Sequence, residues 1–143
     1  MTDKKIYEHK IQYYETDQMQ IVHHSNYIRW FEEARVHILE VYGMSYDKME
    51  ALGIISPVLG VQAEYKSMSR FGESVLIEVI LKEYSGVKYT LAYTIMDKAT
   101  GVVRCKGETK HGFLNAQGRP LSLKRSFPEI HEMFERMMTD GSN

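Results

Sequence analysis

The most regular pattern of apolar residues in the chain is a helical stripe in its first third. Between Asn26 and Tyr42, apolar side chains recur at steps of four and three: Tyr27, Phe31, Ala34, Ile38 and Val41. This spacing places them on one face of an α-helix. Ser25 or Asn26 is a suitable N-cap, and Gly43 is a suitable end. The pattern therefore predicts an amphipathic helix over residues 26–42, which at about 1.5 Å per residue is long enough to cross a sheet.

Alternating apolar and polar residues predict strands through much of the remaining chain. The strands are expected at residues 7–14, 58–66, 74–84, 87–96 and 102–114. The third and fourth of these are joined by a tight turn at Ser85 and Gly86, and the next turn ends at Gly101, which is typical of an antiparallel meander. Short helices are expected at residues 46–52 and 127–138, the latter with Pro128 at its first position. The order of elements predicts an α+β fold in which an antiparallel sheet of about five strands packs on the long helix.

Composition and charge narrow the class of protein. With 143 residues, of which 43% are hydrophobic, the chain is expected to form one domain spanning residues 1–143. Its 18 basic and 19 acidic residues nearly balance, so no overall field favours nucleic acid or an anionic membrane. Cys105, the single cysteine, excludes an internal disulfide and is interpreted as a small core residue. No apolar run is long enough to span a bilayer and the N-terminus lacks a signal-peptide core, so we expect a cytoplasmic protein.

The residues with the most chemical potential lie just before the predicted long helix. Asp17 precedes His24 by seven residues, and the helix begins immediately after His24. The first N–H groups of a helix carry partial positive charge and can polarise a carbonyl. If the first strand stays extended as far as Asp17, Tyr13 lies on the same face. Each of these residues also has a purely structural interpretation: Asp17 could form a turn, His24 could shape the loop through hydrogen bonds to the backbone, and Tyr13 could be packed in the protein.

The same segment resembles a known family. The family motif is T-D-x-x-G-x-V-x-H-x-x-Y-x-x-x-F-E-x-A-R. The residues of the chain that carry the resemblance are Asp17, Val22, His24, Asn26, Tyr27, Phe31, Glu32 and Arg35. This segment is similar to that of the hotdog-fold acyl-CoA thioesterases related to 4-hydroxybenzoyl-CoA thioesterase. The chain departs from the motif at Gln20, where the family usually has Gly; a glycine allows a positive φ or the close approach of a substrate, and glutamine restricts both.

The resemblance implies a hotdog fold and hydrolysis of an acyl-CoA thioester to free acid and CoA. It implies that Asp17 acts as general base or nucleophile, and that His24 and Tyr13 position the reactants. The backbone amides of Ser25, Asn26 and Tyr27 are expected to hold the oxyanion. It further implies a homodimer or homotetramer with sites at the subunit interface, and no metal or redox cofactor.

CoA also carries phosphates, which require local positive charge. Arg70 is the preferred candidate because it follows a strand expected beside the pocket. The other candidates are Lys66, Arg119, Lys124 and Arg125. Glu32, Glu33 and Arg35 are interpreted as ion pairs on the helix surface or at an interface, and Trp30, off the main stripe, as a contact to another layer or subunit.

Three other functions fit part of the pattern. A thioesterase acting on acyl carrier protein would use the same residues. A non-catalytic acyl-CoA sensor or scaffold would bind without turnover, although Asp17 at the family position argues against it. A hotdog dehydratase would need a Pro/Gly-rich loop, whereas none of the three prolines lies near His24. Neither His23 nor any cysteine has the spacing of a metal site, and no GxGxxG or GxSxG motif is present.

Overall fold

The computed structural model of the chain describes residues 5–141. Its centre is a five-stranded antiparallel sheet in the order β1-β3-β4-β5-β2. The strands are β1 Tyr7–Lys10, β2 Val58–Tyr65, β3 Ser74–Tyr84, β4 Lys88–Asp97 and β5 Val103–Gly112. The helices are α1 Ser25–Val41, α2 Tyr46–Ala51, α3 Leu123–Ser126 and α4 Pro128–Gly141. The predicted α+β hotdog architecture is confirmed, and α3 is an element that the sequence patterns did not predict.

Helix α1 packs on the sheet through the predicted apolar stripe. The side chains of Tyr27, Phe31 and Ala34 are buried, whereas Val41, at the end of the stripe, is 38% exposed. The ring of Phe31 stacks on Tyr93 of β4, with centroids 4.4 Å apart. A Cβ added to Gly107 of β5 would lie 2.5 Å from the Phe31 ring. The bare glycine therefore permits the close approach of α1 to the sheet.

The segment after β1 differs from the predicted strand. β1 ends at Lys10, and Tyr13–Glu15 forms a 3-10 turn. The Glu15 carboxylate accepts the N–H of Gln12 at 2.8 Å, and the Glu15 N–H donates to the carbonyl of Gln12 at 3.0 Å. These bonds turn the chain, so the prediction that Tyr13 and Asp17 share one strand face is wrong.

The start of α1 also differs from the prediction. Neither Ser25 nor Asn26 is the N-cap, because the helix begins at Ser25 and His24 precedes it. The Asn26 side chain is buried and donates instead to the carbonyl of Glu15 at 2.9 Å.

Two side chains of α1 are buried within the chain rather than on its surface. Trp30 is fully buried, donates its indole N–H to Glu15 at 2.7 Å and packs on the ring of His9 in β1, with centroids 4.8 Å apart. Of the two predicted contacts, the one with another layer is therefore confirmed: the layer is the sheet. Arg35 is also buried, with its guanidinium bonded to Glu32 at 2.5 and 3.1 Å and to the Tyr89 hydroxyl at 2.9 Å. The ion pair between Arg35 and Glu32 was predicted. The predicted position of Arg35 on the helix surface was wrong, because Tyr89 and Glu32 provide hydrogen-bond acceptors for the buried guanidinium.

Candidate active site

Asp17 lies in a tight loop between β1 and α1. Thr16 and Val22 form an isolated antiparallel bridge that closes this loop. The Asp17 Oδ1 atom accepts the N–H of Met19 at 2.8 Å and the N–H of Ile21 at 3.3 Å. The side chain is exposed, and its Oδ2 atom accepts no hydrogen bond from residues 5–141. The structural role and the predicted chemical role are thus compatible, because one oxygen fixes the loop while the other meets no donor from the described part of the chain.

Gln20 shows how this loop accommodates the departure from the family motif. Its φ is +63°, the one positive φ of a non-glycine residue in the described part of the chain. Its N–H donates to the carbonyl of Asp17 at 2.9 Å. The backbone at this position thus has a conformation suited to glycine, although a glutamine occupies it. For a residue with a Cβ atom, this left-handed conformation costs about 1–2 kcal/mol of conformational energy.

The two adjacent histidines have different surroundings. Their rings stack with centroids 4.3 Å apart, and the exposed His24 ring also meets the edge of Tyr65 at 5.8 Å. The His23 Nδ1 atom lies 3.2 Å from the N–H of Ser25 and 2.9 Å from the Ser25 hydroxyl. A His23 ring protonated on Nε2 accepts both bonds. His23 therefore shapes the start of the helix and leaves the His24 ring exposed.

The amides predicted to hold an oxyanion already have acceptors within the chain. The N–H of Asn26 donates to the carbonyl of His23 at 3.0 Å, and the N–H of Tyr27 donates to the carbonyl of His24 at 3.2 Å. The N–H of Ser25 donates to the His23 ring. Of these acceptors only the ring can move away by side-chain rotation, so Ser25 has the amide most easily released for a substrate.

Beside α1 lies a cleft of about 870 Å³, which we call the His24 cleft. Its walls contain His24, Tyr27 and Arg70, three of the predicted site residues. The other lining residues are Ile21, Val22, Tyr65, Lys66, Ser67, Met68, Glu73 and Arg104. The structure thus brings these three residues to one surface. Asp17 lies in the adjoining loop, hydrogen-bonded to Ile21 of the cleft wall.

The cleft is held together by contacts between the Asp17 loop and the segment before β3. Ile21 and Arg70 form an isolated antiparallel bridge, and the N–H of Val22 donates to the carbonyl of Ser69 at 2.9 Å. The hydroxyl of Tyr27 donates to the Ser69 hydroxyl at 3.0 Å. Burial raises the pKa of Tyr27, so this phenol stays a neutral hydrogen-bonding group at physiological pH.

Three cations line the His24 cleft: Lys66, Arg70 and Arg104. The sequence patterns did not single out Arg104, because it lies near the start of a strand and belongs to no motif. Its guanidinium lies 3.2 Å from the Ser67 hydroxyl and 3.5 Å from the carboxylate of Glu73. Its Nε–H is buried and has no acceptor among residues 5–141. A second carboxylate, that of Asp97, lies 3.7 Å from the guanidinium, so Glu73 and Asp97 offset much of the charge of Arg104, whose Nε–H remains a donor without an acceptor among the described residues.

The other predicted residues lie outside the cleft walls. Tyr13 is 69% exposed and meets the ring of Phe71 edge-on, with centroids 5.7 Å apart. Arg119, Lys124 and Arg125 are exposed and do not line the cleft. Cys105 is buried in β5, as predicted for a core residue, and burial raises the pKa of its thiol to about 11.

Two features of the described residues concern metals and membranes. No three His, Cys, Asp or Glu side chains in residues 5–141 are grouped so that they can hold a metal ion. Across the same residues, no helix combines the length and apolar character needed to cross a membrane.

The five-stranded sheet, the central helix and the loop before it define a hotdog protein of the thioesterase type. The sequence model of the thioesterase-like superfamily matches residues 11–136. The chain belongs to this superfamily, and the resemblance seen in the sequence and the prediction of a thioesterase enzyme are confirmed at the level of the family.

Individual relatives agree with this assignment. The chain is 32% identical over 130 residues to a Bacillus subtilis protein named "Putative acyl-CoA thioesterase YneP", covering 90% of this chain and 94% of that protein. The crystal structure of DHNA-CoA thioesterase from Staphylococcus aureus is 32% identical, with a TM-score of 0.87 over 94% of this chain and 90% of that one. A structure of an Aquifex aeolicus protein is 34% identical, with a TM-score of 0.82 over 90% of this chain and 97% of that one.

Proposed function

We propose that the protein hydrolyses an acyl-CoA thioester to a free acid and CoA, with Asp17 driving the attack. The observation that carries the proposal is the Asp17 carboxylate, whose Oδ1 atom is fixed by the amides of Met19 and Ile21 and whose Oδ2 atom has no partner among residues 5–141. Its loop adjoins a cleft that contains the exposed His24. The membership in the thioesterase-like superfamily and the name of the Bacillus subtilis relative support the same reaction.

Asp17 has two routes to the products. As general base it takes a proton from water, whose oxygen attacks the thioester carbonyl; collapse of the tetrahedral intermediate breaks the C–S bond and the thiolate receives the proton. As nucleophile its carboxylate attacks the carbonyl, expels the thiolate and forms a mixed anhydride that water then hydrolyses. In a single turnover in ¹⁸O-labelled water, label found in Asp17 identifies the nucleophile route, because water has then attacked the Asp17 carbonyl of the anhydride. Label in the product acid alone is common to the general-base route and to water attack on the acyl carbon of the anhydride.

The start of α1 is the proposed place for the negative charge that forms on the thioester oxygen. The partial positive charge of the helix N-terminus favours an anion there. Among the Ser25, Asn26 and Tyr27 amides, that of Ser25 needs the smallest change, because its acceptor is the His23 side chain. His24 and Tyr13 are proposed to orient the carbonyl and the water.

The cations of the His24 cleft are proposed to hold the phosphates of CoA. Arg70 was preferred from the sequence, and Lys66 and Arg104 line the same cleft. An acyl-carrier-protein thioesterase remains the second candidate, since a phosphopantetheine arm presents the same thioester and one of the phosphates. Loss of affinity when the 3′-phosphate of the CoA nucleotide is removed favours CoA; preferential hydrolysis of the carrier-linked acyl group favours the second candidate.

The test of the proposed function is free-thiol release from a panel of short, long and aromatic acyl-CoAs. The panel includes DHNA-CoA, because the Staphylococcus aureus relative is named for it. We expect Asp17→Asn to lower kcat by about 10²–10⁴-fold, the usual contribution of a general base. Asparagine keeps an Oδ1 acceptor for Met19 and Ile21, so the loop is retained.

The matched control is Gln18→Ala, an exposed side chain in the same loop. It is expected to keep wild-type kcat. Binding of acyl-CoA without thiol release by the wild type would support a sensor or scaffold instead. Equal activity of wild type and Asp17→Asn would remove Asp17 from the mechanism.

A further inference from the structure

Glu15, two residues before Asp17, has a carboxylate that is buried in the protein. The residue is 4% exposed. Its Oε1 atom accepts the N–H of Gln12 at 2.8 Å and lies 2.8 Å from His9 Nε2, and its Oε2 atom accepts the indole N–H of Trp30 at 2.7 Å. A buried carboxylate is costly unless it is hydrogen-bonded, and here both oxygens have donors. The side chain thereby ties β1, the 3-10 turn and α1 together.

The main chain of Glu15 holds the other end of the Asp17 loop. Its carbonyl accepts the N–H of His23 at 2.9 Å and the side-chain amide of Asn26 at 2.9 Å. His23 precedes His24, and Asn26 lies in the first turn of α1. One residue thus fixes the place where the loop of Asp17 begins and the place where it returns to the helix.

The Glu15 carboxylate is held in its charged form. Burial alone would raise its pKa, but the hydrogen bonds from Gln12, His9 and Trp30 outweigh burial and the pKa is lowered. A carboxylate accepts at both oxygens, whereas an amide accepts at one and donates at the other. The site therefore distinguishes Glu from Gln although the two side chains have nearly the same shape.

We propose that Glu15 is a positioning residue for the thioesterase reaction: its buried carboxylate, anchored on Trp30 and His9, sets the distance between the Asp17 loop and the start of α1. This inference rests on the proposed function, because it assigns Asp17 and the start of α1 to one reaction. Glu15 acts through these groups and does not itself touch the substrate.

The first test is Glu15→Gln, measured as kcat and KM for the best acyl-CoA of the panel. In this variant the NH₂ group of the new amide faces another N–H group in either orientation: the indole N–H of Trp30, or the N–H of Gln12 on the side of His9. We expect kcat to fall by about 10²-fold, the scale of a 1 Å misplacement of catalytic groups, while KM changes far less. The control Glu33→Gln removes the other carboxylate near His9, 3.4 Å from Nδ1, and is expected to keep wild-type kcat.

A second variant separates positioning from general destabilisation. Trp30→Phe removes the indole N–H and therefore the donor that opposes an amide at Glu15. If Glu15 positions the loop, the double variant Glu15→Gln/Trp30→Phe regains part of the kcat lost in Glu15→Gln. If the loss only reflects weakened folding, the cavity left by the smaller ring lowers activity further, which would overturn the proposal.

Hydrogen exchange tests the inference independently of turnover. In Glu15→Gln the amides of Met19, Ile21 and His23 are expected to exchange faster, whereas those of β3 and β4 keep wild-type protection. Unchanged exchange in the loop, or exchange raised equally throughout the sheet, would overturn the positioning role. A wild type that hydrolyses no thioester would instead remove the proposed function, and the exchange result would still decide whether Glu15 fixes the loop.

Discussion

At the scale of single residues, His111 of β5 has a charge state that is set by burial. Its ring is fully buried and stacks on Tyr89, with centroids 4.8 Å apart. Its Nε2 atom lies 2.7 Å from the Thr109 hydroxyl, while the buried Nδ1 atom has no partner among residues 5–141. Burial, and secondarily the positive charge of Arg35, lower the pKa of His111 from 6.5 to about 4.

This shift predicts a loss of stability in acid. As the pH falls below 6.5, the unfolded chain takes up a proton at this position before the folded chain does. The stabilisation is therefore present above the unfolded pKa and is lost as the pH falls through the folded pKa. The full difference corresponds to about 3 kcal/mol of unfolding free energy. Urea unfolding of wild type and His111→Phe between pH 7 and pH 4 measures it. The wild type should lose more stability than the variant over this range; equal losses would contradict the assignment to His111.

The residues of the candidate site differ in how far the sequence could reveal them. Asp17, His24 and Tyr27 stand at fixed spacing in a short segment, so a motif could single them out. Glu15 could not be recognised as a buried anchor, because its burial depends on Trp30 and on His9 of β1. Arg35 was wrongly predicted to lie on the helix surface for the same reason, since its partner Tyr89 lies 54 residues away in the sequence. Burial of a charge depends on partners that local patterns do not show.

At the scale of elements, the sequence predicted that α1 packs on the sheet, but it did not predict how closely the helix approaches the strands. Periodicity identified the buried face of the helix and the strands of the sheet. It could not identify Gly107 as a contact point, because the need for a missing side chain arises only when Phe31 is placed over β5. It also overextended β1, where local hydrogen bonds of Glu15 replace the strand by a 3-10 turn.

The close approach at Gly107 predicts a marked effect of one added methyl group. In Gly107→Ala the new Cβ would lie 2.5 Å from the Phe31 ring and from the carbonyl oxygen of Gln62. Overpacking of this kind costs about 1–3 kcal/mol, because the helix or the strand must move. Gly60→Ala in neighbouring β2 is the control, since its Cβ would meet Lys110 no closer than 3.9 Å. Urea unfolding compares the two; similar stability of both variants would show that α1 can shift without cost.

At the scale of the whole molecule, β2 is an edge strand with an exposed apolar surface. It pairs with β5 on one side. Leu59, Val61 and Tyr65 are 54%, 46% and 48% exposed. A long apolar edge is a template for pairing with another chain, and proteins that remain monomers usually protect it. The resemblance to hotdog thioesterases implies edge-to-edge pairing, so this strand is the expected contact between two subunits.

A charge at the centre of this strand should therefore separate the subunits. We expect the wild type to be a dimer or tetramer by size-exclusion chromatography with light scattering, and Val61→Lys to shift it towards the monomer, because the lysine ammonium would be buried against the partner strand. The control is Val87→Lys in the turn before β4, where the valine is 39% exposed and lies away from the edge. Since Tyr65 belongs both to β2 and to the His24 cleft, thioesterase activity should fall with the dimer fraction as Val61→Lys is diluted. A wild type that stays monomeric at assay concentration, or equal dissociation of both variants, would place the subunit contact elsewhere or remove it.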